Sequence, residues 1–247
     1  MLNSDDVYTA YQRIGLKIGD TLVVQSSYKG IGGFEGGPEA LIQALLCVVG
    51  PEGTLIMPAY NFTSWTQDHV FDVLETPSTR VGIIPETFRL MKGVRRTRHP
   101  IHSLSVYGKR RDELCAIDHA DSFGEDSIFA KLLELNSMYS TLGTGLNMPF
   151  LPCHYTETLM KVPYRYQKFF NGTYMDESRI PREKTYGFHV RNQKINKKPV
   201  FDTHIMQFKR GYVKEVTQHG MTLMYSRADD YHESMLELIK EKPELFR

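Results

Sequence analysis

The sequence has few cysteines and no long apolar run, and both shortages exclude classes of protein. Its 247 residues include Cys47, Cys115 and Cys153, an odd number with no Cys-x-x-Cys pair. Neither a disulfide framework nor a zinc knuckle is therefore predicted, and buried reduced thiols are expected. No apolar run approaches the ~20 residues that span a bilayer, and the first six residues lack the basic and apolar regions of a signal peptide. We predict a cytoplasmic protein with no membrane partner.

An excess of charge of one sign is also missing. The 30 Lys and Arg residues nearly balance the 29 Asp and Glu residues, and the formal net charge is +1. Proteins that bind nucleic acid usually have an excess of basic residues, which this chain lacks, so no nucleic-acid partner is predicted. Apolar residues make up 41% of the chain and charged residues 24%, which is typical of a globular protein. A chain of this length buries roughly 70–75% of its unfolded surface.

Apolar runs alternate with helical patterns along the first 165 residues, which predicts an α/β sheet with helices packed on it. Strands are predicted at residues 21–25, 53–58, 103–107 and 138–142. Helices are predicted at residues 4–14 with Ser4 as N-cap, and at 37–49, 85–91, 126–135 and 152–160.

The remainder of the chain is more polar and aromatic, and it includes a basic segment at residues 191–198. Asn171 and Gly172 predict a turn, and residues 218–220 predict the tip of a hairpin. Helices are predicted near residues 202–210 and at 228–240. No linker separates this part from the core. We therefore predict a core at 1–165 and a C-terminal subdomain or flap at 166–247, within one globular unit.

A glycine-rich segment at residues 25–38, QSSYKGIGGFEGGP, lies between the first strand and the second helix. Backbone N–H groups in such a turn, with the positive end of a helix dipole, suit an anion. The spacing matches neither the dinucleotide fingerprint nor the P-loop. Ser26 and Lys29 have the Ser-x-x-Lys spacing of acyl-serine enzymes, but that pair needs one helix face, which the following glycines disfavour. A tight turn without a ligand is the alternative.

A second segment, at residues 93–103, combines three arginines with two histidines and two hydroxyls. Arg95 and Arg96 could clamp a polyanion, whereas a solvated basic face is the alternative. His99 and His102 could be taken as metal ligands, but no third ligand lies nearby in sequence, and no metal is predicted.

The third segment runs from Leu142-Gly-Thr-Gly to a predicted helix that carries His154 and Glu157. The i, i+3 spacing lets the carboxylate reach the imidazole and raise its basicity. A structural histidine is the alternative. Cys153 suggests an acyl-cysteine, but adjacent helix residues point about 100° apart, which disfavours a pair with His154.

Together and in this order, these segments resemble the aminoglycoside 3-N-acetyltransferase family over about residues 20–165. The resemblance rests on Ser26-Ser27 with residues 36–40, residues 49–58, 76–78 with 80–82, Arg95-Arg96 with 99–103, Phe123-Gly124 with Ser127, and residues 142–145 with 154–157.

The resemblance implies an α/β fold distinct from the GNAT acetyltransferases, with a central mixed sheet flanked by helices and a C-terminal α+β subdomain. It implies transfer from acetyl-CoA or another acyl-CoA to a primary amine, with His154 as general base. We predict that Glu157 or another acid orients His154. Residues 1–165 would then hold the acyl-CoA, and 166–247 would contribute to the acceptor site. Donors near Ser103 or Thr144 would stabilise the oxyanion. The residues expected to bind the coenzyme are Ser26, Ser27, Tyr28, Lys29, Gly30, Arg95, Arg96, His102 and Ser103.

The acceptor is predicted from charge. A polycationic aminoglycoside needs a strongly acidic pocket, yet residues 60–75 offer only Asp68, Asp72 and Glu75, and residues 161–214 are rich in Lys, Arg and Tyr. Gln25 also stands where family members commonly carry histidine. We therefore predict a small-molecule amino-sugar acceptor, and prefer a nucleotide-linked deoxyamino sugar for surface polysaccharide. An aminoglycoside-resistance enzyme and a non-catalytic CoA-binding module are the alternatives, and a homodimer stays open.

Overall fold

The computed structural model describes residues 1–147, 150–195 and 202–241. Its helices are α1 Ser4–Arg13, α2 Gly37–Val49, α3 Ile83–Leu90, α4 Arg111–Ala116, α5 Ile128–Glu134, α6 Cys153–Leu159, α7 Asp202–Lys209 and α8 Ala228–Glu241, with a 3₁₀ turn at Gly145–Asn147. Its strands are β1 Thr21–Ser26, β2 Thr54–Pro58, β3 Val70–Asp72, β4 Arg95–Arg96, β5 Leu104–Gly108, β6 Met138–Leu142, β7 Arg165–Met175, β8 Pro181–Arg191, β9 Lys214–Gln218 and β10 Met221–Arg227.

The central sheet has seven strands in the order β4-β5-β2-β1-β6-β10-β9. β1 lies parallel to both β2 and β6, while the other neighbours pair antiparallel. The predicted central mixed sheet is confirmed. Because β2 and β6 lie on opposite sides of β1, the chain reverses its direction of winding beside β1, and the carboxyl ends of these strands form the edge where α/β sheets bind ligands.

Alternating side chains of the central strands enter two helical layers. Leu22 and Val24 of β1 pack in a core with residues of α1, α2 and α3. Val23, between them, packs on the other face with residues of α5, α6 and α8. Successive strand side chains point to opposite faces, and near-continuous apolar strands such as β2 are therefore covered on both sides.

A second sheet of three strands, in the order β3-β7-β8, lies beside the first. The predicted turn at Asn171 and Gly172 is wrong, because both residues lie inside β7, opposite Thr185 and Lys184 of β8. Gly172 is required there by close packing: a Cβ atom would come within 2.6 Å of the His69 carbonyl oxygen. The hairpin turns at residues 176–180 instead, where the Asp176 carboxylate accepts a hydrogen bond from the Ser178 N–H at 2.9 Å.

The first helix begins one residue earlier than predicted. Asn3, rather than Ser4, is the N-cap. Its side chain accepts a hydrogen bond from the Asp6 N–H, and the Asp6 carboxylate accepts one from the Asn3 N–H at 3.0 Å. This capping box fixes the start of α1. The short elements β3, β4 and α4 were not predicted from the sequence, and neither were the two 11-residue strands β7 and β8.

The hairpin predicted near residue 219 is confirmed, since β9 and β10 meet there, and β10 pairs with β6 in the central sheet. The division into 1–165 and 166–247 stays a prediction, and residues 196–201 of the basic region lie outside the described residues. Among the described residues, no helix is long and apolar enough to cross a membrane.

Candidate active site

The turn after β1 and the loop after β6 touch at the carboxyl edge of the sheet. The Ser27 N–H donates to the Leu142 carbonyl oxygen at 2.8 Å. A Cβ atom on Gly30 would lie only 1.8 Å from the Gly143 carbonyl oxygen, and one on Gly143 would lie 2.7 Å from the Ile31 nitrogen. Glycine is thus needed at both positions for the two backbones to meet, which is a packing role for part of the glycine-rich segment.

Within this turn, Ser27 and Tyr28 are used structurally and Lys29 is not. The Ser27 hydroxyl accepts from the Gly30 N–H at 3.1 Å, and the Tyr28 hydroxyl accepts from the Phe34 N–H at 3.3 Å. The Lys29 side chain is exposed at the surface. Among the predicted coenzyme-binding cations, Lys29 is therefore the one that the structure presents to solvent without a carboxylate partner among the described residues.

Three hydroxyl groups at this edge are buried without a hydrogen-bond partner among the described residues. They belong to Ser26, Thr141 and Thr144. Thr141 lies opposite Gln25 in the β1–β6 pair, next to Ser26. Because successive strand side chains point to opposite faces, the hydroxyls of Ser26 and Thr141 lie on opposite faces of the sheet. Ser26 and Thr144 stay candidates for hydrogen bonds to a polar ligand.

His154 and Glu157 lie side by side on α6, as their spacing predicts. The His154 Nδ1 and Glu157 Oε2 atoms are 2.6 Å apart, and the Glu157 side chain is only 4% exposed against 21% for His154. Burial alone would raise the pKa of Glu157, but His154, His189 and Arg165 outweigh it and hold that pKa well below its usual range. An ionised carboxylate only accepts hydrogen bonds, so His154 donates through Nδ1–H and carries its lone pair on Nε2.

Two further residues complete this cluster, and sequence reasoning missed both. The Arg165 Nε atom lies 2.7 Å from Glu157 Oε2, and the His189 Nε2 atom lies 3.6 Å from the same oxygen. Arg165 begins β7, at the end of the family resemblance, and His189 lies in β8 within an ordinary strand pattern. No local spacing connects either residue to α6; only the β7–β8 ladder does.

The pKa of His154 lies below its ordinary value. Burial is the largest cause, and the Arg165 guanidinium is the next; Glu157 has the opposite effect and raises this pKa. The imidazole is therefore neutral near pH 7, as a base must be.

Cys153 lies closer to His154 than its helical position suggested. Its Sγ atom is 3.6 Å from His154 Nδ1, so the prediction that the two side chains point apart is wrong. The acyl-cysteine alternative fails for another reason. Nδ1–H donates to Glu157 and cannot take the thiol proton, and burial raises the pKa of the Cys153 thiol far above neutral pH, whereas a nucleophilic cysteine must ionise.

The adjacent arginines have different environments. Arg95 is partly exposed and pairs with Asp112 at 3.0 Å and Glu177 at 2.6 Å. Arg96 is 5% exposed; its guanidinium donates to Ser103 Oγ at 2.8 Å and to the carbonyl oxygens of Ala59 and Thr76.

These contacts bear on the predicted clamp. The groups of both arginines that would hold a phosphate are already used, and the Ser103 hydroxyl donates to Ala59 at 2.8 Å. Arg96 and Ser103 are therefore buried and already hydrogen-bonded, whereas Arg95 stays partly exposed; a coenzyme-binding role for these three residues stays a prediction.

His102 is likewise internal. The Ser122 hydroxyl donates to the Gly187 carbonyl oxygen at 2.9 Å, so it accepts from His102 Nδ1–H at 2.8 Å and His99 Nε2–H at 3.1 Å. Burial lowers the pKa of His102 well below its ordinary value. His102 is 3% exposed, and its ring packs against Phe123, with centroids 4.8 Å apart. Burial lowers the pKa of both histidines and keeps them neutral, and the coenzyme-binding role of His102 stays a prediction.

His154, Glu157 and His189 place three potential donor atoms within 4.8 Å of one another. Two imidazoles and a carboxylate form a set that some transition metals use. The guanidinium of Arg165 already contacts that carboxylate, however, and puts a positive charge where a cation would lie. The electrostatics of the cluster therefore favour the arginine over a metal ion, and the absence of a metal stays a prediction.

A cleft of about 950 Å³ lies away from this chemistry, at the start of β2 and the end of β5. Because β1 and β2 are parallel, it lies at the opposite edge of the sheet from the glycine turn. Two of its cations have carboxylate partners: Lys109 pairs with Glu52 at 2.5 Å and Arg111 with Asp112 at 3.0 Å. A smaller cavity of about 200 Å³ adjoins the histidine cluster and is lined by Glu157, Lys161, Arg165 and His189, among others.

The profile of the family described as aminoglycoside 3-N-acetyltransferase matches residues 23–238. Among curated relatives, an aminoglycoside N(3)-acetyltransferase VII from Streptomyces paromomycinus is 34% identical over 169 residues, which cover 61% of this chain and 58% of the relative. The chain therefore matches less than two thirds of that relative's length.

Solved structures with the same fold include AAC-VIa bound to sisomicin, with a TM-score of 0.84, 19% identity and coverage of 96% of this chain and 97% of that one. AAC-IIIb in its binary complex with CoASH gives a TM-score of 0.82 at 19% identity, covering 97% of each chain. At these identities the likeness shows the fold.

Proposed function

The chain belongs to the aminoglycoside 3-N-acetyltransferase family, and from that premise we propose that it transfers an acyl group from an acyl-CoA to a primary amine of an amino sugar of the aminoglycoside class. The observation that carries this proposal is the His154–Glu157 pair at 2.6 Å. A neutral histidine with a free Nε2 lone pair is the base that amine acylation requires.

The carboxyl edge of the sheet suits the acyl-CoA. The unpaired hydroxyls of Ser26 and Thr144 are buried there and can bond amide or thioester oxygens. Lys29 is exposed in the turn between β1 and α2, where its ammonium group can bind a phosphate. The Tyr28 and Gly30 backbone belongs to the same turn and completes the proposed coenzyme site.

The proposed reaction is a direct transfer. His154 Nε2 takes a proton from the acceptor's amine as its nitrogen bonds to the thioester carbonyl carbon. The carbonyl oxygen becomes an oxyanion, to which the Thr144 hydroxyl can donate; Ser103, the other predicted donor, is already hydrogen-bonded. The carbon–sulfur bond then breaks, and the thiolate takes the proton back from His154.

The acceptor class follows the relatives rather than the charge argument. The family description and the similar proteins are named for aminoglycosides, and none of these names supports the nucleotide-linked sugar that composition favoured. Arg165, a basic residue beside His154, is paired with Glu157 and so does not mark an anionic substrate.

The decisive assay is free-thiol release from acetyl-CoA with two panels of amines, aminoglycosides and nucleotide-linked amino sugars. We expect release with the aminoglycosides, and formation of an N-acetylated product detected by mass spectrometry. Release with only the second panel would overturn the acceptor class. Saturable acetyl-CoA binding without amine-dependent release, from either panel or with longer acyl-CoAs, would instead support a non-catalytic binding module.

Changing Lys29 to alanine is expected to raise KM for acetyl-CoA about five-fold, since one exposed charge contact is worth about 1 kcal/mol, and to leave kcat nearly unchanged. The difference should shrink in high salt, because exposed charges are screened. Lys92→Ala is the matched control, because Lys92 is also exposed but lines the cleft at the opposite edge of the sheet. Equal KM values for Lys29→Ala and wild type at low salt would remove Lys29 from the coenzyme site.

A further inference from the structure

One oxygen of Glu157 is shared by several partners. Oε2 lies 2.6 Å from His154 Nδ1, 2.7 Å from Arg165 Nε and 3.6 Å from His189 Nε2. All four side chains are at least three-quarters buried, with Arg165 17% exposed and His189 5% exposed. Of these three partners, Arg165 is the one that brings a guanidinium to the carboxylate.

Strand pairing brings these partners to α6. Arg165 and His189 lie two residues apart across the β7–β8 ladder, where His189 is opposite Gln167. Gln167 donates to the Asp121 carboxylate at 2.6 Å, and its amide nitrogen lies 3.5 Å from His189 Nδ1. The hairpin is thus attached to the loop before α5, and it holds Arg165 against Glu157.

The alternative states of Glu157 show why the arginine matters. A carboxyl group this deeply buried, without a fixed cation, tends to take up a proton. Once protonated, its oxygen would no longer be a strong acceptor for His154 Nδ1–H, and the imidazole could turn or exchange tautomers. A permanent charge on Oε2 keeps the carboxylate ionised while His154 gains and loses its proton.

We propose that Arg165 is a positioning residue, which holds Glu157 Oε2 as an ionised acceptor so that His154 keeps its proton on Nδ1 and its lone pair on Nε2. This inference rests on the proposed function in assigning His154 as the base. Arg165 itself contacts Glu157 and acts through it.

Several other titratable groups surround His154. They are Glu157 and Cys153 from its own helix, Arg165 and Tyr164 from the start of β7, His189 from β8, and His102 from the segment before β5. His102 is neutral and its Nδ1–H is bonded to Ser122, and Cys153 is a protonated thiol. Arg165 and Glu157 are therefore the charges that dominate the titration of His154.

The test compares Arg165→Met, which keeps the length and removes the charge, with Arg165→Lys, which keeps the charge. Without the positive charge of Arg165, the His154–Glu157 pair takes up a proton at higher pH, on either group. The active form, with a neutral imidazole beside an ionised carboxylate, is therefore lost at a higher pH than in wild type. We expect the acidic limb of kcat/KM against pH to move upward by about one unit in Arg165→Met, with kcat at pH 7 lowered about 10-fold or more. Arg165→Lys should restore much of both.

Nitrogen NMR of the imidazoles in the full chain provides a readout that needs no substrate. In wild type we expect His154 to titrate below its ordinary value with its proton on Nδ1, and in Arg165→Met to titrate higher, with a mixture of tautomers. Arg191→Met is the matched control, because Arg191 lies opposite Arg165 in the ladder and Glu157 has no ion pair with it among the described residues.

Each outcome decides between the two proposals. An unchanged His154 titration and tautomer in Arg165→Met would overturn the role of Arg165, even if acyl transfer is found. A changed titration in a protein that acylates no amine would support Arg165 and count against the proposed function. If Arg165→Met does not fold, Arg165→Lys carries the test: a wild-type tautomer of His154 with the charge retained supports the inference, and a mixture of tautomers in folded Arg165→Lys contradicts it.

Discussion

Replacing His154 with alanine is expected to lower kcat about 10³-fold, with the Kd of acetyl-CoA nearly unchanged. The side chain supplies the Nε2 lone pair that deprotonates the amine, and its Nδ1–H is held by Glu157 at 2.6 Å. The proposed coenzyme contacts lie elsewhere, in the turn after β1 and the loop after β6. The measurements are steady-state kinetics with the amine found by the thiol-release assay, and calorimetric titration with acetyl-CoA.

The matched control is His232→Ala. His232 lies on α8 and also contacts α6, where its Nδ1 atom is 2.7 Å from Thr156 Oγ1; within the described part of the chain, no ion pair joins it to Glu157. We expect that variant to keep wild-type turnover within a small factor. A His154→Ala protein that binds acetyl-CoA and turns over nearly as fast as wild type would show that another group is the base, and the His154–Glu157 pair would then be structural.

The sequence predicted the features of this site that are local in the chain. His154 and Glu157 are three residues apart on one helix, so helix geometry alone places them together. Ser26 and Lys29 follow a strand within a few residues, and the parallel pairing of β1 and β6 brings them to the same edge as Thr144. The order of strands and helices likewise predicted the fold class, because β1 and β2 contain the apolar runs 22–24 and 55–57.

The partners that tune the site could not be predicted in this way. Arg165 and His189 reach Glu157 only through the register of β7 and β8, a ladder in which Gly172 had suggested a turn. The sequence alone does not show whether Gly172 is a glycine because the chain turns there or because the backbone at His69 lies close to it. Contacts of this kind depend on how two strands pair, and sequence spacing does not encode them.

Arg95 and Arg96 show the same limit within two adjacent residues, and they give the second large prediction. In sequence they form one basic pair; in β4 successive side chains point to opposite sides, and only Arg96 enters the core. Burial, followed by the nearby Arg89, lowers the pKa of Arg96 to about 9, so it is still charged at neutral pH. Its guanidinium lies 4.7 Å from the centroid of the Phe71 ring.

Changing Arg96 to methionine is therefore expected to lower the free energy of unfolding by about 2–4 kcal/mol, because it leaves the Thr76 carbonyl oxygen without its donor and removes one of the two donors to the Ala59 carbonyl oxygen. Arg95→Met removes only partly exposed ion pairs and should cost less than about 1 kcal/mol. Urea unfolding of the two variants, followed by circular dichroism, gives the comparison. Equal losses of stability would mean that Arg96 contributes no more to the stability of the fold than Arg95 does. A phosphate-binding role for Arg96 would then be open again. A much larger loss for Arg96 would show that Arg96 stabilises the fold by joining β4 to the residue after β2 and to the loop at Thr76. Lys29 would then be the cation on which the proposed coenzyme site depends.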